Sequence, residues 1–124
     1  MTDFSIYEVG PRDGLQNTDT IMPTTQKVEM IERIAQAGIT NIEVGAMVNP
    51  DKVPNMADSE SVYTQVAYLK PELTLGMLVP NRTGVERARK VGVTNFNVFF
   101  SPSEYFNMNN HGKTLTSIFS EYCS

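Results

Sequence analysis

The sequence predicts an α/β fold in which short strands alternate with helices around a parallel sheet. Strand-like apolar runs recur about every thirty residues, at Phe4–Val9, Thr40–Gly45, Leu73–Val79 and Asn95–Ser101. Between them lie segments with apolar residues at helical spacing, each closed by Gly or Pro. The third run is apolar almost throughout, as a strand covered on both faces should be. Alternation of this kind implies parallel strands joined by right-handed crossovers.

The first strand ends at Gly10-Pro11, which cannot continue a ladder. Arg12-Asp13 then sets a fixed cation beside an anion. Gly14 permits a sharp turn at positive φ or the close approach of a ligand, and Gln16 and Asn17 add neutral donors and acceptors. A strand end carrying Arg, Asp, Gln and Asn is poor core material and a candidate site for an anionic, metal-bound substrate. As a dipeptide in a surface turn, Arg12-Asp13 would contribute about 1 kcal/mol or less.

Pro23-Thr24-Thr25 opens the first helix, with Val28, Ile31, Ile34 and Ala35 on its apolar side and Gly38 as its stop. Lys27, Glu29, Glu32 and Arg33 read as its solvated face. In the second strand, alternation places Ile42 and Val44 on one face and Asn41, Glu43 and Gly45 on the other. Spacing alone leaves Glu43 equally a site carboxylate and a structural anion pairing Arg12 or a backbone amide. A long loop, Met47–Asp58, carries two prolines, and loops of this length in α/β units are often functional. Asp58 or Ser59 caps the second helix, which carries Val62, Val66, Ala67 and Leu69 and ends before Pro71. The third helix runs from about Thr83 to Val91 and stops at Gly92, and Thr114 caps a last, short helix.

Composition narrows the function classes. The chain has 124 residues, 40% hydrophobic and 19% charged, as expected of a globular protein. A formal charge of −4 argues against a nucleic-acid binder. One cysteine, Cys123, excludes an intramolecular disulfide and suits a reducing compartment. No apolar run approaches the ~20 residues needed to span a bilayer, and no basic presequence precedes the first strand. The expected location is the cytoplasm.

The string Glu8-Val9-Gly10-Pro11-Arg12-Asp13-Gly14-Leu15-Gln16-Asn17 resembles the signature of the 3-hydroxy-3-methylglutaryl-CoA lyases. These belong to a superfamily of metal-dependent lyases and synthases built on (β/α)8, or TIM, barrels. Leu15, where the synthases usually carry Glu, points to the lyase branch. The string Val53-Pro54-Asn55-Met56-Ala57-Asp58, the Pro80-Asn81 turn, Ser103-Glu104 and Asn110 are similar to the family at corresponding stations. Asn49 and Ala46-Met47 depart from it.

The resemblance implies cleavage of a 3-hydroxy acyl-CoA into a ketoacid and the enolate of acetyl-CoA. A divalent ion, Mg2+ or Mn2+, would chelate the substrate, with Asp13 the matching ligand. Arg12 would stabilise charge on the thioester oxygen. Glu43 would position Arg12 or the substrate, and Gln16 would contact the substrate. The acyl-CoA is the expected partner, with neither nucleic acid nor membrane. A full barrel needs ~250 residues, so residues 1–124 are expected to form an N-terminal half barrel of about four β/α units. The family's His-x-His pair, metal-binding Asn and mobile-loop Cys would belong to the other half. His111 reads as a solvent-facing loop residue rather than a ligand. Open edges at the first and fourth strands would invite self-association or pairing with a complementing half-barrel chain. The alternative is a non-catalytic truncated half barrel, a remnant or interaction module.

Overall fold

The computed structural model describes residues 3–123; Met1, Thr2 and Ser124 lie outside them. Strands β2 (Asn41–Ala46) and β3 (Thr74–Leu78) form the centre of the sheet because their apolar residues are buried on both faces. β1 (Tyr7–Glu8) pairs with β2 through Tyr7↔Asn41 and Glu8↔Ile42, and β4 (Asn95–Asn97) pairs with β3 from Gly76↔Asn95 to Leu78↔Asn97. All pairings are parallel and the strand order is β1-β2-β3-β4.

Both edge strands are shorter than the apolar runs predict. An edge strand has a ladder partner on one side only, and each chain soon leaves its ladder. Gly10-Pro11 ends β1 on its carboxyl side, and residues 4–6 before it make no ladder pair with β2. Beyond β4, the backbone of Ser101 bonds instead to the Asn107 side chain, donating to Oδ1 at 2.8 Å and accepting from Nδ2 at 2.6 Å.

Helices α1 (Thr24–Gln36), α2 (Ser59–Val66) and α3 (Arg82–Lys90) lie between successive strands, and a single-turn extension at Ala67–Leu69 carries α2 on toward Pro71. Ile31, Val62, Tyr63, Val66 and Ala88 from these helices pack on Ile42, Val44, Leu75 and Met77 of the sheet and on Val79 just beyond β3. Each Val, Leu, Ile or Met among them contributes about 1.5–3 kcal/mol when fully buried. Gly38 and Gly92, at φ 96° and 91°, turn the chain after α1 and α3 where a side chain would be strained. Two further helices, α4 (Glu104–His111) and α5 (Leu115–Cys123), follow β4. Thr114 Oγ1 accepts from the Ser117 amide at 3.2 Å, the expected cap of the last helix. α4 replaces the expected loop: Ser103 Oγ accepts from the Phe106 amide, and Gly112 closes the helix at φ 66°.

Three expectations are corrected. Gly45 does not share a face with Glu43. The register runs Glu43↔Gly76 but Gly45↔Met77, so Val44 is the extra residue of a bulge. The bulge turns Gly45 toward the helices, where a Cβ would lie 2.6 Å from Ser59 Oγ. Lys27 is not on a solvated face: it is 3% exposed and its Nζ reaches Asp58 Oδ1 at 2.6 Å and the Asn55 carbonyl. Neither Asp58 nor Ser59 caps α2 with its side chain. Asp58 is engaged by Lys27 and Thr24, while Ser59 Oγ accepts from the Ala46 amide and donates to the Met56 carbonyl. Among the described residues no helix is long and apolar enough to cross a membrane.

Candidate active site

Beyond β1 the chain makes a wide, π-type turn over Gly10–Gly14. The Val9 carbonyl accepts from three successive amides: Arg12 at 3.1 Å, Asp13 at 2.7 Å and Gly14 at 3.5 Å. Pro11, which has no amide hydrogen to place, is buried at the start of the turn. Turns of this width are rare and occur often at functional positions. Here it carries Arg12 and Asp13 past the carboxyl end of β1. Gly14 is absent from the positive-φ glycines, so the expected sharp left-handed turn is not what it provides. A Cβ at Gly14 would meet nothing within 4 Å, leaving its backbone open to a ligand.

Glu43 rises from β2 on the face opposite the helices and is 4% exposed. Its Oε1 accepts from Arg12 Nε, and its Oε2 accepts from Asn97 Nδ2 at 2.5 Å. A buried carboxylate is stable only when paired and hydrogen-bonded, and both conditions hold here. Arg12 is bound through Nε, and its Nη1 lies 3.3 Å from Asp13 Oδ1. Nη2 has no hydrogen-bond partner among the described residues. Nη2 is thus available to an oxyanion while Nε and Nη1 are held by Glu43 and Asp13.

Of the four sequence-predicted site residues, the structure joins Arg12 to Glu43 and sets Asp13 beside Arg12. Gln16 stands apart from this cluster. Its Oε1 is buried with no hydrogen-bond partner, a condition few native polar atoms tolerate. His111 is the last residue of α4, with its ring 4.5 Å from that of Phe99 and its Nε2 buried without a partner. It lines a cavity of about 260 Å³ with Asn49, Lys52, Asn81, Asn110 and Lys113. His111 is thus a half-buried residue at the end of a helix, not the solvent-facing loop residue expected.

Three residues that support the site escape a sequence reading. Asn97 reaches Glu43 from β4, and its only local trace is the alternation of Asn95 and Asn97 with apolar neighbours. Asn55 donates to the carbonyls of Leu15 and Thr18, and Lys27 ties the Asn55 carbonyl and Asp58 to α1. No local pattern marks contacts that span 28 to 40 residues.

A divalent ion tests this donor set. Asp13 offers a carboxylate 57% exposed, the hard oxygen that Mg2+ or Mn2+ prefers. Among the described residues no group of three or more His, Cys, Asp or Glu side chains gathers to hold a metal. One oxygen suits the chemistry of such an ion but does not make a site, since Mg2+ takes about six ligands.

The HMGL-like family model matches residues 3–123. The chain belongs to the HMGL-like family. Among its relatives in the family, hydroxymethylglutaryl-CoA lyase of Pseudomonas mevalonii is 37% identical over 122 residues, which cover 98% of this chain and 40% of that protein. The human cytoplasmic 3-hydroxy-3-methylglutaryl-CoA lyase is 42% identical over 105 residues, 85% of this chain and 28% of that one. An HMG-CoA lyase of Acinetobacter baumannii, solved with coenzyme A and 3-methylmalate, superposes with a TM-score of 0.90 at 32% identity, covering 98% of this chain and 41% of that one. The parallel sheet is thus an arc of the family's TIM barrel, and the chain spans well under half the length of these relatives.

Proposed function

We propose that this chain contributes the Arg12–Glu43 part of the active site of a carbon–carbon lyase of the hydroxymethylglutaryl-CoA lyase type. The reaction would cleave 3-hydroxy-3-methylglutaryl-CoA to acetoacetate and acetyl-CoA. The observation that carries this reading is the Arg12–Glu43 pair, which fixes Nε and leaves Nη2 without a partner among the described residues. As the bond between C2 and C3 of the acyl chain breaks, electrons move toward the thioester and negative charge collects on its oxygen. A permanent, planar cation held in place before the reaction stabilises that charge without reorganising. Glu43 keeps the guanidinium from rotating, and Gln16 offers an unpaired buried oxygen to a donor on the substrate.

In this proposal Asp13 is one oxygen ligand to Mg2+ or Mn2+, an ion that supplies Lewis-acid polarisation of the substrate oxygens. The remaining ligands would have to come from elsewhere, since among the described residues no three His, Cys, Asp or Glu side chains gather around it. The exposed edges of β1 and β4, flanked by Ile6 at 56% and Val98 at 46% exposure, are where the rest of such a barrel would pair, as a second copy or a complementing chain. Relatives include both cytoplasmic and mitochondrial lyases, and the cytoplasm is the location proposed here.

The test is a chimera in which this chain replaces the matching segment of the Pseudomonas mevalonii enzyme. Arg12→Gln should lower kcat at least about a hundredfold, the cost of losing one oxyanion-stabilising donor, with KM little changed. Full turnover in Arg12→Gln would overturn the role given to Arg12.

A further inference from the structure

Glu43 is held from two sides, and only one of them is Arg12. Its second oxygen meets the amide of Asn97, whose orientation is fixed by chemistry: a carboxylate only accepts, so nitrogen must face it. The same Nδ2 has a second hydrogen, and it points to Tyr7 Oη at 2.9 Å. Tyr7 stands on β1, Glu43 on β2 and Asn97 on β4, so the bonded chain Tyr7–Asn97–Glu43–Arg12 crosses the whole sheet.

It can do so because β3 carries a glycine, Gly76, at the point where the chain of bonds passes over it. A Cβ at Gly76 would lie 1.7 Å from Tyr7 Oη and 2.9 Å from Asn97 Nδ2. Glycine is therefore required here to leave room for the tyrosine hydroxyl, while its cost in a strand is only modest. The Tyr7 phenol senses its surroundings accordingly: burial raises its pKa above 10, the Asn97 bond works against that, and the Glu43 charge raises it further.

We infer that Asn97 and Tyr7 are positioning residues of the Arg12 site, holding the Glu43 carboxylate in the one orientation that presents its Oε1 to Arg12 Nε. The inference rests on the role proposed for Arg12 and adds the part of the sheet that sets its geometry. Without Asn97, the Glu43 carboxylate loses its second donor and turns about its last bond, and the guanidinium follows it. Tyr7 acts one step further out, by fixing the amide.

The exchange with water of the Arg12 Nε hydrogen, followed by 15N NMR on this chain and assigned by its loss in Arg12→Lys, reads that geometry directly. Asn97→Val should accelerate this exchange about tenfold, the factor that corresponds to one lost hydrogen bond. Tyr7→Phe should accelerate it by less. The Arg87 Nε hydrogen, bonded to Glu60 at 2.7 Å, serves as the control and should not change in either variant. Should Asn97→Val fail to fold, Tyr7→Phe keeps the question open to measurement, because it removes one hydroxyl and little volume. Unchanged Arg12 exchange in the folded variants overturns the positioning role while leaving the catalytic reading of Arg12 intact. In the chimera, Asn97→Val should lower kcat with KM within about twofold of the parent. Wild-type kcat there would also overturn the positioning role, whereas full turnover in Arg12→Gln overturns the reading beneath it.

Discussion

The side-chain amide of Asn55 donates to the carbonyl of Leu15 at 2.8 Å, and the same nitrogen donates to the carbonyl of Thr18 at 2.8 Å. A residue 8% exposed thus holds the segment that follows Arg12 and Asp13. The two loops carry the strings at residues 12–17 and 53–58, and this contact makes them one structural unit.

Asn55→Leu should cost about 1–3 kcal/mol, because it removes the Asn55 donor from the Thr18 carbonyl and leaves that of Leu15 only the hydroxyl and amide of Thr18. Urea unfolding measures the loss. Amide exchange over residues 15–18 should quicken more than that of α1, since the damage is local.

Lys27 is the anchor on the other side of that loop. Its ammonium, 3% exposed, is neutralised by Asp58 and bonded to the Asn55 carbonyl. Lys27→Met should destabilise by about 3 kcal/mol, the low end of the range for breaking a buried pair, because Asp58 retains some contact with water. Adding Asp58→Leu should recover part of the loss, since no charge is then stranded. Thermal melts of the two variants decide this.

The sequence made the four-stranded alternation legible because strands buried on both faces and helices with one apolar side leave periodic traces, as in Leu73–Val79 and in Val28, Ile31 and Ile34. It made Arg12, Asp13 and Glu43 legible through local chemistry and resemblance. It hid the bulge at Val44, since one extra residue changes the facing of Gly45 without altering composition. It also misled at Lys27. A cation at a polar helical position reads as solvent-facing until the loop that covers it, 28 residues away, is in place. α4 was hidden for a different reason: Asn109, Asn110 and Gly112 look like a turn, and the helix depends on Ser103 and Gly112 at its two ends.

Asp13 as a lone carboxylate makes a prediction about metal. Mn2+ added to this chain should broaden NMR signals around Asp13 with an affinity weaker than about 1 mM, as befits one oxygen ligand. Asp13→Asn should abolish the broadening. Tight binding centred elsewhere would remove Asp13 from its proposed role.

Glu121 links α5 to α3. Its Oε1 accepts from the Arg82 amide at 2.7 Å, and its Oε2 pairs with Lys113. These contacts, the backbone bond first, hold its pKa below 4.5. A carboxyl depressed in the folded state stabilises that state above its unfolded pKa and ceases to do so as the pH falls through the folded value. Acidification below about pH 4 should therefore loosen α5 before α1, and Glu121→Gln should reproduce the loosening at neutral pH. Amide exchange at the two helices reports it.

The neighbouring Tyr122 gives the opposite signature at high pH. Its hydroxyl donates to the Val79 carbonyl at 2.8 Å, tying α5 to the end of β3. Burial, aided by the negative charge of Glu121, pushes its pKa up to about 12. Ionisation would remove the hydrogen that makes the bond, so the folded state resists it while an unfolded chain ionises near 10. A group whose folded pKa is raised lends its stabilisation fully below the unfolded value and loses it as the pH climbs through the folded one. Stability should fall across the window from about pH 10 to 12. Tyr122→Phe should lower the urea midpoint at pH 8 by removing the Val79 bond, and it should flatten the decline above pH 10. An unaltered decline in that variant would assign the alkaline transition to a different group.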